Sequence, residues 1–183
     1  MVHDRQPHHG MPSQPDELSG TGGGLQYIDE VPSLSMANQE INDSCTVACA
    51  RQLLKDASLD FGEPDLIARI GVVEGFGSTA DIAASVLDEL HPRLGYTTGS
   101  VDPSAIGILC RRDSWIAFLR THRGTIHSVI VDGWNGNTIT LRDPWGISGP
   151  GSGSGTRATI DRVDFLDHWH WALNIAIYPC RLK

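Results

Sequence analysis

The sequence predicts an α+β protein, with helices in the first half of the folded part and an antiparallel sheet in the second half. Three amphipathic or apolar segments before residue 95 have the spacing of helices. After Pro103 the pattern changes to short strand-like segments, one of which alternates apolar and polar residues cleanly. Helices followed by strands favour the α+β class, because the two alternate along an α/β chain.

The length of 183 residues fits one domain preceded by a tail. Residues 1–24 end in Ser-Gly-Thr-Gly-Gly-Gly, which is typical of a flexible tail or linker. Residues 25–183 should then form a single domain. Within it we expect a helical lobe at about 39–95 and a sheet lobe at about 104–180. Residues 25–38 should form an extended arm that packs on the domain.

The individual elements follow from apolar spacing and from turn residues. Helices are expected over 44–56, after Pro64 as far as Gly71, and from the capping-box pattern at Ser78 to Pro92. Ala105 to Cys110 predicts a short helix or turn. Strands are expected at 114–119, 127–133, 137–143 and 172–178, with a short helix around 163–171 and a flexible Gly/Ser-rich stretch at 146–158.

Composition excludes several classes of function. A net charge of −8 disfavours nucleic acid or an anionic membrane as partner. No apolar run reaches the roughly 18 residues of a membrane-spanning helix. The first 25 residues lack the apolar core of a secretory signal. We therefore expect a cytoplasmic protein, or one exported by a route without a classical signal peptide.

The four cysteines do not have the pattern of a disulfide framework or of a metal site. Cys45 and Cys49 are four residues apart, which is not the CxxC spacing of metal and redox motifs. We interpret Cys49, Cys110 and Cys180 as ordinary reduced cysteines in apolar surroundings. Neither a metal nor a cofactor is expected.

Cys45 differs because it follows the polar run Asn42-Asp43-Ser44 and should lie in the first turn of a helix. Asp43 or Ser44 can cap that helix. A thiol in a first turn is a thiolate candidate, since helix N-termini lower cysteine pKa values. Gln39, six residues earlier, could bring its amide back beside the sulfur. A thiolate with a nearby amide donor predicts acyl-transfer chemistry.

His127 and Asp143 should meet at the open end of a hairpin. A three-residue loop at 134–136 would pair His127 with Asp143 and place both apolar strand faces on one side. The predicted site then contains Cys45 as nucleophile, His127 as base, Asp143 as the residue that orients the imidazole, and Gln39 as oxyanion donor. Each residue alone has a simpler structural interpretation. His168 and His170 lie in an aromatic-rich helix and are interpreted as packing residues.

These residues resemble papain-like cysteine peptidases, in particular the compact bacterial double-glycine peptidases that process bacteriocins. The resemblance covers about residues 35–180 and rests on Gln39, the run from Asp43 to Cys49, His127 at the head of a Val/Ile strand, and Asp143-Pro144-Trp145-Gly146. The sequence departs from the family at Ser44, which separates Asp43 from Cys45, and at Thr46-Val47, where Gly-Pro is usual. These departures affect the expected shape of the substrate cleft.

The resemblance implies a papain-like fold, a Cys-His-Asp triad and a narrow cleft that selects small residues such as Gly-Gly before the cut. It implies a protein or peptide substrate. The chain lacks transporter segments, so we expect a stand-alone peptidase, by analogy a bacterial effector or toxin with an inhibitor or immunity protein as partner. Gly22-Gly23-Gly24 before Leu25 is either a plain linker or a self-processing site.

Two other functions fit the same residues. An amidase or acyltransferase, such as a deamidase or a transglutaminase-like enzyme, would use the same thioester with a different acceptor. A papain-like module without activity would instead bind a partner through the cleft.

Overall fold

The computed structural model describes residues 25–181. The predicted tail at 1–24 lies outside the described residues, so the boundary between tail and domain stays a prediction. The elements are β1 (Asp29–Ala37), α1 (Cys45–Asp56), α2 (Glu63–Ile70), α3 (Ala80–Leu90), β2 (Tyr96–Ser100), a 3₁₀ turn (Pro103–Ala105), α4 (Ile106–Arg112), β3 (Trp115–Arg120), β4 (Ile126–Trp134), β5 (Thr138–Asp143), β6 (Ser154–Asp161), α5 (Arg162–Trp171) and β7 (Ile175–Pro179).

The seven strands form one antiparallel sheet in the order β1-β6-β5-β4-β3-β7-β2. The central strands β3 and β4 are buried on both faces, which explains the continuous apolar run in β3. The edge strands β1 and β2 are more exposed. The mixture of helices with an antiparallel sheet confirms the predicted α+β class.

Helices cover both faces of the sheet and create two apolar clusters. One face packs against α1, α2 and α3, with Ile116 and Ile130 from the sheet inside that cluster. The other face packs against α4 and α5, with Trp115, Phe165 and Trp169 at the centre. The alternation of side chains along β3 and β4 divides these residues between the two clusters.

Three strands differ from the sequence-based expectation. The arm at 25–38 contains β1, a strand of the sheet that pairs with β6. The second half of the expected flexible stretch is β6, which lies between β1 and β5. Glycine and serine are poor strand formers, but strand neighbours on both sides supply the hydrogen bonds that stabilise β6. β2 was not expected at all.

The predicted register of the β4–β5 hairpin is wrong by two residues. Val131 pairs with Leu141 instead of Ile139, and a bulge lies between Val131 and Gly133. Asn135 accepts hydrogen bonds from the backbone N–H groups of Asn137 and Thr138, which closes the turn. Because the shift is an even number of residues, His127 and Asp143 still share one face of the sheet.

None of the described helices is long and apolar enough to cross a membrane.

Gly155 of β6 lies against the backbone of the strand end that carries Asp143. A Cβ at this position would lie 2.5 Å from the Asp143 carbonyl oxygen and 2.6 Å from Cγ of Met36. We predict that Gly155→Ala lowers the free energy of unfolding by about 1–3 kcal/mol, the usual cost of overpacking. Gly99→Ala in β2 is the matched control, since a Cβ there meets nothing within 4 Å. Urea unfolding of both variants checks this, and equal stabilities would contradict it.

Candidate active site

Cys45 is the first residue of α1, as the sequence predicted, and 8% of the residue is exposed.

The N-cap of α1 differs from the expectation. Ser44 occupies the N-cap position, yet its hydroxyl makes no cap hydrogen bond and donates instead to Ile41 O and Glu63 Oε1. The Asp43 carboxylate accepts from the backbone N–H of Gly75. The first-turn N–H groups of α1 therefore have no side-chain cap.

Glu63 fixes the loop that carries Cys45. Its fully buried carboxylate accepts from the Glu40 N–H at 2.9 Å and from the Ser44 hydroxyl at 2.6 Å. Burial raises the pKa of Glu63, while these two hydrogen bonds act in the opposite direction. The contacts join both ends of the 40–44 loop to the start of α2. One carboxylate thereby sets the path of the chain between Gln39 and Cys45.

His127 and Asp143 are brought together as predicted. His127 Nε2 lies 2.7 Å from Asp143 Oδ1, and both side chains are almost completely buried. His127 also lowers the pKa of the Cys45 thiol, and Cys45 raises that of His127, so these two side chains interact. Cys45, His127 and Asp143 thus lie in one site, as a Cys-His-Asp triad requires.

Asp143 has further donors that satisfy its buried charge. The backbone N–H of Trp145 donates to Oδ1 at 2.8 Å, and the Tyr27 hydroxyl donates to Oδ2 at 2.6 Å. The Trp145 ring stands edge-on to His127, with 6.4 Å between ring centroids. The Asp143-Pro144-Trp145 turn therefore holds the carboxylate and also packs a ring against the imidazole of His127.

Opposing effects determine the ionisation of Cys45. Burial raises the pKa of the thiol, but hydrogen bonds from His127, its positive charge, and contacts with Ser128 outweigh burial. The net result is a Cys45 pKa below its ordinary value. Burial likewise lowers the pKa of His127, but Asp143 and Cys45 raise it well above the usual range. Each shift favours the charged form, so the site favours a thiolate–imidazolium pair.

Gln39 lies in the predicted loop and is 1% exposed. Its Nε2 donates to Ile41 O at 2.9 Å, and its Oε1 has no hydrogen-bond partner among the described residues. A carboxamide nitrogen carries two hydrogens, so one of them is available to a substrate oxygen. The oxyanion role of Gln39 stays a prediction.

Asn38 joins the loop that carries Gln39 to the loop that follows Asp143. Its Nδ2 donates to the carbonyl groups of Pro144, Trp145 and Gly149, and its Oδ1 accepts from the Ser152 N–H. The backbone N–H of Gln39 also donates to Pro144 O at 2.9 Å. The expected oxyanion donor and the triad carboxylate are thus parts of one hydrogen-bonded unit.

The other cysteines have different surroundings. Cys49 is fully buried one turn along α1, and burial raises its pKa. Cys110 is half-buried, with its pKa raised for the same reason. The expectation is wrong for Cys180, which is exposed and donates to Gly95 O. His168 packs as expected: it is 8% exposed and its Nδ1 lies 2.6 Å from Arg120 O. The expectation is wrong for His170, which is exposed.

Sequence reasoning missed several residues that support the site. Tyr27, Asn38, Glu63 and Ser128 all contact the loop or the triad through hydrogen bonds between distant parts of the chain. Ser128 carried one signal, because a serine inside a Val/Ile strand interrupts the apolar pattern. Within residues 25–181 no group of three or more histidine, cysteine, aspartate or glutamate side chains could hold a metal ion.

Comparisons with known proteins agree with the geometry. No model of a protein family matches the sequence, and no curated protein matches it significantly. Among solved structures, one similar fold is a double-glycine motif protease from an AMS/PCAT transporter in complex with the leader peptide. Its TM-score is 0.58 at 16% identity, over 87% of this chain and 96% of that chain. The chain has the double-glycine peptidase fold.

A second solved structure supports the same assignment. It is the peptidase domain of Streptococcus ComA, a bifunctional ABC transporter of a quorum-sensing pathway. Its TM-score is 0.56 at 18% identity, over 78% of this chain and 95% of that chain. Both matches confirm the fold that the resemblance implied.

The thiolate–imidazolium pair predicts alkylation of Cys45 at low pH. Because its pKa lies below the ordinary value, Cys45 should react with iodoacetamide at pH 6, where an ordinary thiol of pKa about 8.5 is protonated. In His127→Ala, burial raises the pKa of Cys45 and only Ser128 opposes it. The rate of Cys45 labelling at pH 6 should therefore fall by about tenfold or more. Peptide mapping assigns the modified cysteine.

His168→Ala is the matched control, since His168 is also a buried imidazole but bonds to Arg120 O. It should leave the pH dependence of Cys45 labelling unchanged. A wild-type profile that rises only near pH 8.5 would contradict the ion pair.

Proposed function

We propose that the protein is a cysteine endopeptidase that uses Cys45, His127 and Asp143. The observation that carries the proposal is the His127–Asp143 hydrogen bond, together with a cysteine at the N-terminus of a helix whose pKa His127 lowers. The fold neighbours, a double-glycine motif protease and a peptidase domain, support this activity.

The chemistry begins with the ion pair. The Cys45 thiolate attacks the carbonyl carbon of the scissile peptide, and negative charge moves to the carbonyl oxygen. The Cys45 N–H, one of the unpartnered donors in the first turn of α1, and the Gln39 amide would stabilise that charge. The C–N bond then breaks, and His127 gives its proton to the departing amine. A thioester on Cys45 is left.

Hydrolysis of the thioester restores the resting state. Neutral His127 takes a proton from water, and the resulting hydroxide attacks the thioester carbonyl. The C–S bond breaks, the acid product leaves, and Cys45 is again a thiolate beside an imidazolium. Asp143 holds the imidazole in the same orientation throughout, so one ring serves both steps.

Limited access to Cys45 supports a preference for glycine before the cut. With 8% of the residue exposed, a substrate must bring its backbone close to a sulfur that is nearly enclosed. Side chains on the residues before the scissile bond would collide with the surroundings, whereas glycine has none. The substrate is therefore proposed to be a peptide segment with small residues, Gly-Gly above all.

The biological setting is proposed from resemblance alone. A bacterial effector or toxin that is restrained by an immunity protein fits an enzyme of this class. The same resemblance leaves cytoplasmic action on a peptide as the other setting.

Matched peptides test the activity. We predict cleavage of an unstructured peptide after Gly-Gly, and a kcat/KM about tenfold or more lower when the second glycine is alanine, since a methyl group that must fit a tight site costs this much. Cys45→Ala should abolish cleavage, while Cys180→Ala, an exposed cysteine, should cleave like the wild type. Mass spectrometry of the products gives the bond that is cut.

The same assay separates the alternatives. A product that gains the elements of water identifies a peptidase, whereas transfer to an added amine or conversion of a glutamine side chain identifies an acyltransferase or a deamidase. A Cys45 that alkylates rapidly but yields no product from any peptide would contradict the endopeptidase proposal.

A further inference from the structure

The arm that precedes β1 reaches the catalytic carboxylate. Tyr27 Oη donates to Asp143 Oδ2 at 2.6 Å, a contact between residues 116 positions apart. The other carboxylate oxygen accepts from His127 and from the Trp145 N–H. Asp143 is completely buried, so the phenol is the partner that the structure supplies for the second oxygen.

Two contacts fix the arm on the sheet. Leu25 is 1% exposed and belongs to the apolar cluster on the α5 side. The backbone N–H of Ile28 donates to Thr159 O at 2.7 Å, which continues the pairing of β1 with β6. Tyr27 lies between these two anchors, so its position depends on how the arm docks.

The phenol acts as a donor over the whole working range of pH. Burial raises the pKa of Tyr27 well above its ordinary value, and the charge and hydrogen bond of Asp143, with Glu30 and Cys49, raise it further. A protonated phenol facing a carboxylate can only donate to it. The hydrogen bond is therefore charge-assisted and fixed in direction.

We propose that Tyr27 is a positioning residue for the active site, which makes the docked N-terminal arm a part of the catalytic apparatus. This inference rests on the proposed function of Cys45, His127 and Asp143. The hydroxyl holds Oδ2, so that Oδ1 stays aimed at His127 Nε2. Without it, the Asp143 carboxylate is free to turn towards another donor. That change weakens its hold on the imidazolium.

The charged groups around this contact come from several elements. His127 of β4 faces Asp143 directly, and Cys45 and Cys49 of α1 lie nearby. Glu30 of β1 adds a further carboxyl, and burial raises its pKa to about 7 against a hydrogen bond from Thr156. Glu30 is identical in every variant considered below, so its titration contributes equally to each of them.

The experiment is the pH dependence of Cys45 alkylation by iodoacetamide in the full chain. Tyr27→Phe removes one hydroxyl and keeps the ring. In this variant we expect the rise of the alkylation rate with pH, the acid limb of the profile, to begin at higher pH. The rate at pH 6 should fall by about tenfold, which corresponds to the free energy of a hydrogen bond to a charged group. Tyr178→Phe is the matched control, because Tyr178 packs against the same apolar cluster. It should match the wild type.

A second variant tests the arm itself. Leu25→Ala keeps the phenol but weakens its docking, so the acid limb should move in the same direction by a smaller amount. Thermal unfolding of each variant monitors the fold, and a merely structural role for Tyr27 would lower the melting temperature without moving the limb.

The outcomes separate this inference from the proposed function. Wild-type Cys45 that labels slowly at pH 6 would overturn the triad, and the role of Tyr27 with it. Rapid labelling in the wild type, with unchanged profiles in both Tyr27→Phe and Leu25→Ala, would overturn the role of Tyr27 alone.

Discussion

The buried carboxylate of Asp143 is the constraint on which the rest of the site depends. A charge with no solvent exposure is costly unless donors surround it, and three elements supply them here: β4 through His127, the following turn through Trp145, and the arm through Tyr27. Asn38 then joins the same turn to the loop that carries Gln39. Satisfying one carboxylate therefore sets the relative positions of residues far apart in the chain.

The pKa of Cys45 also depends on a balance between burial and neighbouring groups. Burial alone would keep the Cys45 thiol protonated, as it does for Cys49 one turn later. The difference between the two cysteines is the neighbouring imidazolium, which Asp143 in turn maintains. The pKa values of two chemically identical thiols on one helix are thus shifted in opposite directions. Only the thiol in the first turn of α1 lies beside the imidazole.

Local patterns in the sequence were sufficient for the helices, the central strands and the meeting of His127 with Asp143. Cys45 was identified from the turn before a helix, and His127 and Asp143 from adjacent strand ends. Long-range contacts were not accessible in this way. The predicted serine cap is wrong because Glu63 competes for the Ser44 hydroxyl. The predicted hairpin register is wrong because a bulge follows Val131. The role of Tyr27 was missed because its partner is 116 residues away. β6 was missed because its stability comes from two neighbouring strands.

The burial of Leu25 has a consequence for the triglycine that precedes it. A cut between Gly24 and Leu25 that drew this leucine out of its apolar cluster would cost about 2 kcal/mol. It would also create an ammonium group next to a side chain that is shielded from water. The docked Leu25 therefore disfavours a cut at this bond.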